Sequence, residues 1–147
     1  MESRQVSETV RRGRLVALDG CVLIYFLEGG PFGDSAKEVM AALRDGKARA
    51  VLSTVALLEA QVGPYRHGDE DLADRYYALL QALPNCQWVE VSYAIADRAA
   101  QLRAEHGLAA PDAIHLGTAL ECGAEVFVTN DRDLPAVPGL EYCILSR

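Results

Sequence analysis

No apolar run in the sequence approaches the roughly 18 residues that a membrane-spanning helix needs, so no such span is expected. The N-terminus carries Glu2 and Arg4 among polar residues and lacks the apolar stretch of a secretory signal. Cys21, Cys86, Cys122 and Cys143 form no C-x-x-C pair and have no histidine at zinc-finger spacing. Structural zinc and a disulfide framework are therefore not expected, and the thiols read as reduced groups of a cytoplasmic protein. Lysine is nearly missing. Only Lys37 and Lys47 occur among 14 basic residues, so the positive charge is almost all arginine, which suits bidentate contact with phosphate. No glycine-rich loop follows a strand either, because Gly29-Gly30-Pro31 reads as a helix stop; a phosphate-cradling nucleotide site is excluded on that ground.

What is present is the composition of an ordinary globular domain. The 147 residues are 50% apolar and 24% charged, with a mean hydropathy of +0.04, enough to bury one real core. The net charge of −7 argues against tight non-specific binding of nucleic acid. It leaves room for a metal-bridged phosphodiester, since two divalent ions held by clustered carboxylates would bring the total to about −3.

Residues 1–13 read as a polar N-terminal extension and 14–147 as the domain. Leu15 to Leu18 is a short apolar run of the kind buried on both faces, followed by a helix from Cys21 to Leu27. Ser35 to Arg44 is a second helix and Ala50 to Ser53 a second strand. Thr54 opens a helix with Val55, Leu58 and Val62 as its apolar stripe, which Gly63-Pro64 should end or kink. Another helix starts after Gly68-Asp69, with Leu72, Tyr76, Leu79, Leu80 and Leu83 inward. Gln87 to Val91 is a strand, Tyr93 to His106 a helix stopped by Gly107, and Pro111 to Cys122 a helix packed through Ala113, Leu116, Gly117 and Leu120. Strands from Ala124 to Thr129 and Glu141 to Leu145 complete the chain. Such alternation predicts an α/β fold, a three-layer sandwich with a central parallel sheet of four to five strands flanked by helices.

Four acids stand at informative places. Asp19 and Asp131 follow two apolar strands, Glu59 lies in the helix after a third, and Asp112 opens the helix leading into the strand before Asp131. Singly, each has a plain structural explanation: a helix cap for Asp19, a solvated face for Glu59, dipole complementarity for Asp112, a turn cap for Asp131. Together they fall where open parallel sheets gather ligands, outside the carboxyl ends of the strands. Like charges so placed call for a cation, and hard oxygen donors favour Mg²⁺ or Mn²⁺.

The blocks Leu18-Asp19 with Val22-Leu23-Ile24, Ser53 through Glu59, Pro111-Asp112-Ala113-Ile114-His115-Leu116 and Val128 through Leu134 resemble the PIN-domain ribonucleases, most closely the toxins of VapBC-type toxin–antitoxin pairs. The resemblance runs from about Leu15 to Ile144. It implies a PIN-like fold in which Asp19, Glu59, Asp112 and Asp131 hold one or two Mg²⁺ or Mn²⁺ ions, supported by Thr129. Asp133 would be an outer acid or a turn residue, and His115, three positions after Asp112, an orienting or packing partner. It further implies an RNA substrate, a homodimer and a cognate antitoxin whose C-terminal segment enters the acidic cleft. Arg132 and the arginines at 11, 12 and 14 are candidates for phosphate contact, with solvated surface charge as the plainer explanation.

One departure is visible. The family usually follows its first Asp with a small hydroxyl residue and then an amide or hydroxyl residue, where this chain has Gly20 and Cys21. A catalytically weak or inactive PIN-like module that binds RNA or protein is therefore the alternative expectation. A phosphatase using D-x-D after the first strand would need an acid where Cys21 stands. A receiver domain would need a late lysine, and both lysines come too early.

Overall fold

Val16 and Leu18 alternate with Ala17 along strand β1 (Leu15–Leu18), and the two sets enter separate cores on opposite faces of one sheet. The computed structural model, which describes residues 6, 8–10 and 14–147, repeats this division in every central strand. Ala50 and Leu52 of β2 (Arg49–Ser53) face one way and Val51 the other; Val126 and Val128 of β4 (Val126–Thr129) oppose Phe127. With β3 (Cys86–Val89) and β5 (Glu141–Ile144) the sheet has five strands, all parallel, in the order β3-β2-β1-β4-β5. The chain winds outward from β1 through β2 to β3, then returns to the other side of β1 for β4 and β5, so the order reverses between β1 and β4.

Helices α1 (Gly20–Glu28), α2 (Gly33–Arg44), α3 (Thr54–Arg66) and α4 (Glu70–Gln81) cover one face through Val22, Leu23, Val39, Leu43, Ala60 and Leu80. Helices α5 (Tyr93–His106) and α6 (Ala110–Glu121) cover the other through Ala99, Leu102, Ala113 and Leu116. This is the expected three-layer sandwich. Within the stretch read as an extension, residues 6 and 8–10 are helical, and Val6 and Val10 are buried in the first core.

Helix α3 only partly follows its expected course. Helix α3 runs through Pro64 and ends at Arg66, because Pro64 forfeits an amide bond within the last turn while the Gly63 and Pro64 carbonyls accept from His67 and Asp69 N–H at 3.2 and 3.0 Å. Its inward face is also different from the expected stripe: small Ala56 and Ala60, with Gln61 and Pro64, are buried, whereas Leu58 is 61% exposed. Gln61 explains part of that choice, since its side-chain amide donates to the Ala73 carbonyl at 2.9 Å and ties α3 to α4. On α4 the buried residues are Ala73, Tyr76 and Leu80, with Leu79 on the exposed side.

Gly117 sets the packing of α5 on α6, as expected. A Cβ there would lie 3.2 Å from the Ile95 carbonyl oxygen and 3.3 Å from the Ala99 nitrogen, both backbone atoms that cannot swing aside. Gly117→Val should therefore lower stability by about 1–3 kcal/mol in urea denaturation, while Leu58→Ser stays within about 0.5 kcal/mol of wild type.

Candidate metal centre

Asp19 leaves β1 at the carboxyl edge of the sheet, beside the point where the strand order reverses. Its N–H donates to the Val128 carbonyl at 2.9 Å, which locks it against β4. It occupies the N-cap position of α1, yet its side chain makes no capping bond. The carboxylate instead accepts a 2.7 Å hydrogen bond from Thr129 Oγ1 and is only 13% exposed. The cap explanation for Asp19 does not hold.

Glu59 comes from the second turn of α3, whose start is fixed by Ser53: the Ser53 hydroxyl accepts from Val55 N–H at 3.2 Å. His115 projects from α6 and is the most deeply buried member, with a side chain 1% exposed. Its Nε2 donates to Glu59 Oε1 and lies 3.9 Å from Asp19 Oδ1, while its Nδ1 is buried without a hydrogen-bond partner. One ligand atom from each of Asp19, Glu59 and His115 falls within 4.8 Å of the others. That span is about twice a metal–oxygen bond of roughly 2.1 Å.

Asp112, in the first turn of α6, lies close enough to sense the charges of Asp19 and Asp131. Asp131 is anchored by its own N–H, which donates to Thr129 Oγ1 at 3.1 Å. Its carboxylate caps the following turn by accepting from Asp133 N–H at 2.8 Å, so the turn-cap reading of Asp131 is met in the structure. Asp133 is exposed and takes part through its backbone. Thr129 thus holds two acids at once, one through its proton and one through its oxygen. The Cys21 thiol beside the cluster is pushed up to about 12, chiefly by burial and then by the Asp19 charge, so it stays neutral. All four cysteines are free.

The phosphate-contact arginines fare differently. Arg14 precedes β1, at the far edge of the sheet, and is paired with Glu125 at 2.9 Å and Glu141 at 2.6 Å. Residues 11 and 12 lie outside the described residues, and Arg132 is exposed near Asn130 and Asp131.

The electrostatics bear on what the cluster could hold. Burial raises the Asp19 carboxyl above its ordinary value, against the lowering effects of His115 and the Thr129 hydrogen bond. Asp112 is raised by burial and then by the charges of Asp19 and Asp131. For His115, burial pulls downward, but the Glu59 hydrogen bond and the charges of Asp19, Glu59 and Asp112 outweigh it and the net shift is upward. The mutually repelling oxygens fit a hard divalent cation, while His115, whose Nε2 proton is committed to Glu59, stands outside the donor set. The sequence placed His115 next to Asp112 but gave no sign that it meets Glu59.

Residues 16–140 match a family model described as PIN domain. Among solved structures, a toxin–antitoxin complex from Klebsiella pneumoniae contains a chain 26% identical to this one, with a TM-score of 0.67 and 88% of this chain and 98% of that chain covered. VapBC2 from Rickettsia felis, bound to a DNA fragment from its promoter, matches at 17% identity and a TM-score of 0.70, covering 87% and 96%. VapC20 from Mycobacterium tuberculosis, a Sarcin-Ricin loop cleaving toxin, matches at 14% identity and 0.63, covering 76% and 86%. Comparison with curated proteins gave no match.

Groups with raised pKa bind protons more readily folded than unfolded, so their contribution to stability falls as pH rises. For Asp19 and Asp112 the decline begins above about pH 4, and for His115 above about pH 6.5, each ending past its raised folded value. The metal-free protein should lose urea-unfolding midpoint across this range. Mg²⁺ or Mn²⁺ should restore more of it at about pH 8 than at about pH 5; an equal effect at both would contradict this electrostatic picture.

Proposed function

Because the chain belongs to the PIN-domain family, we propose that it is a divalent-metal-dependent endoribonuclease and the toxin of a type II toxin–antitoxin pair. The observation that carries this reading is the meeting of Asp19, Glu59 and His115 within 4.8 Å at the carboxyl edge of the sheet, with Asp112 and Asp131 beside them. The toxin–antitoxin structures of the same fold support the biological role.

Asp19, Glu59, Asp112 and Asp131 are the residues that would hold Mg²⁺ or Mn²⁺. The bound ion supplies Lewis-acid polarisation of a phosphodiester and a water of lowered pKa. The chain's own work is positional. Thr129 fixes the rotamer of Asp19 and the backbone of Asp131. His115 holds Glu59 from beneath, and the Asp133 N–H keeps one Asp131 oxygen in its turn. An RNA substrate would approach this edge of the sheet, and the negative cluster would repel it until a cation is present.

An antitoxin segment carrying an arginine would fit the same acidic cleft and block it. Exposed Leu58 and Tyr65 on α3 and Leu79 on α4 offer apolar surface for a homodimer or for that partner. Among the described residues no helix is long and apolar enough to cross a membrane, and we place the protein in the cytoplasm.

A second reading, a PIN-like module that binds RNA or protein without cleaving, draws on Gly20-Cys21 and on Glu59 Oε1 being already paired with His115. Cleavage of RNA with Mn²⁺, with and without chelator, separates the two. Wild type should cut only with metal, and Asp19→Asn should slow cutting on the order of a hundredfold or more. Identical behaviour of the two proteins under every metal condition would favour the binding module.

A further inference from the structure

We propose that Gly20 is a positioning residue: the missing side chain at position 20 creates the space in which the Glu59 carboxylate is held against His115. A Cβ built on Gly20 would stand 2.5 Å from Glu59 Oε1, 2.9 Å from its carboxyl carbon and 3.4 Å from Oε2. The oxygen it would strike is the one bonded to His115 Nε2. Gly20 is buried at the first turn of α1, in a helical conformation that any L residue adopts, so backbone freedom does not explain glycine here. Space does.

The departure at position 20 thereby acquires a physical role. A hydroxyl at this site would add a donor beside Asp19, but it would also occupy the volume that Glu59 fills. Glu59 reaches this volume from the second turn of α3 and His115 from α6, so three helices converge on one carboxylate. The buried imidazole meets Asp19 at 3.9 Å on the same side, so displacing Glu59 also alters what His115 presents to Asp19. Gly20 acts through Glu59 and does not itself touch a reacting group. The clash, moreover, is with the far end of a flexible side chain, so a larger residue moves Glu59 without breaking the backbone packing.

For metal affinity the proposal rests on the metal-dependent reading of the site; for the Glu59–His115 contact it does not. The test uses the full chain as Gly20→Ala, Gly20→Ser, Glu59→Gln and the double variant Gly20→Ala with Glu59→Gln. Folding is checked by circular dichroism. In the metal-free protein, the downfield His115 Nε2 proton seen by NMR should be lost in both Gly20 variants, as in Glu59→Gln. Mn²⁺ affinity, read by electron paramagnetic resonance of free ion, should weaken on the order of tenfold to a hundredfold in each, and the double variant should be no worse than Glu59→Gln alone. An unchanged His115 signal in Gly20→Ala, tighter Mn²⁺ binding in Gly20→Ser, or additive losses in the double variant would each overturn the proposal. If wild type binds no Mn²⁺, the metal reading fails, and the NMR result alone decides whether Gly20 positions Glu59.

Discussion

The Asp19 carboxylate, 13% exposed and wedged between the Thr129 hydroxyl and the His115 ring, is the constraint around which the carboxyl edge of the sheet is built. Burial disfavours its charge, and Asp112 and Glu59 add repulsion from two other helices. A fold does not assemble such a group for stability. Isolated buried charge costs several kcal/mol, and apolar residues of the same size would serve the core better. The partial answer inside the protein is His115, whose net charge is favoured by the acids around it. On the proposed function the fuller answer would be a divalent cation, neutralising the acids that one imidazole leaves unpaired.

The topology explains why these residues meet. With β1 central and the strand order reversing beside it, the segments leaving β1 and β4 diverge and open a crevice. Asp19 and Asp131 line its two sides, and Thr129, at the end of β4, bridges them. Helices from opposite layers then lean over the sheet edge: α3 brings Glu59 from one layer and α6 brings Asp112 and His115 from the other. The close crossing at Gly117 fixes where α6 lies, so packing remote from the acids sets their distances.

Much of this was legible in the sequence. The short apolar runs, the alternation with helices and the acids at strand ends follow from period, length and the placement rule for parallel sheets. The places of Asp19, Asp112 and Asp131 were readable because they are local to strand and helix ends. The Glu59–His115 contact was not: 56 residues separate them, and their meeting depends on the absent side chain of a third residue, Gly20. The inward face of α3 departs from hydrophobic spacing for a related reason. Large Val55, Leu58 and Val62 looked like a core stripe, but the close fit to neighbouring helices selects small Ala56 and Ala60, with a buried Gln61 that has its own acceptor. Hydrophobic spacing ranks faces by greasiness, whereas tight helix packing ranks them by size.

Locating the ion is the most direct test that these acids form one metal centre. Crystals of the protein soaked in Mn²⁺, with data collected near the manganese absorption edge, would place any bound ion by its anomalous signal. If the acids form one metal centre, a peak coordinated by Asp19 and at least one of Glu59, Asp112 and Asp131 is expected, lost in crystals of Asp19→Asn. A peak elsewhere, or none at saturating Mn²⁺, would contradict it.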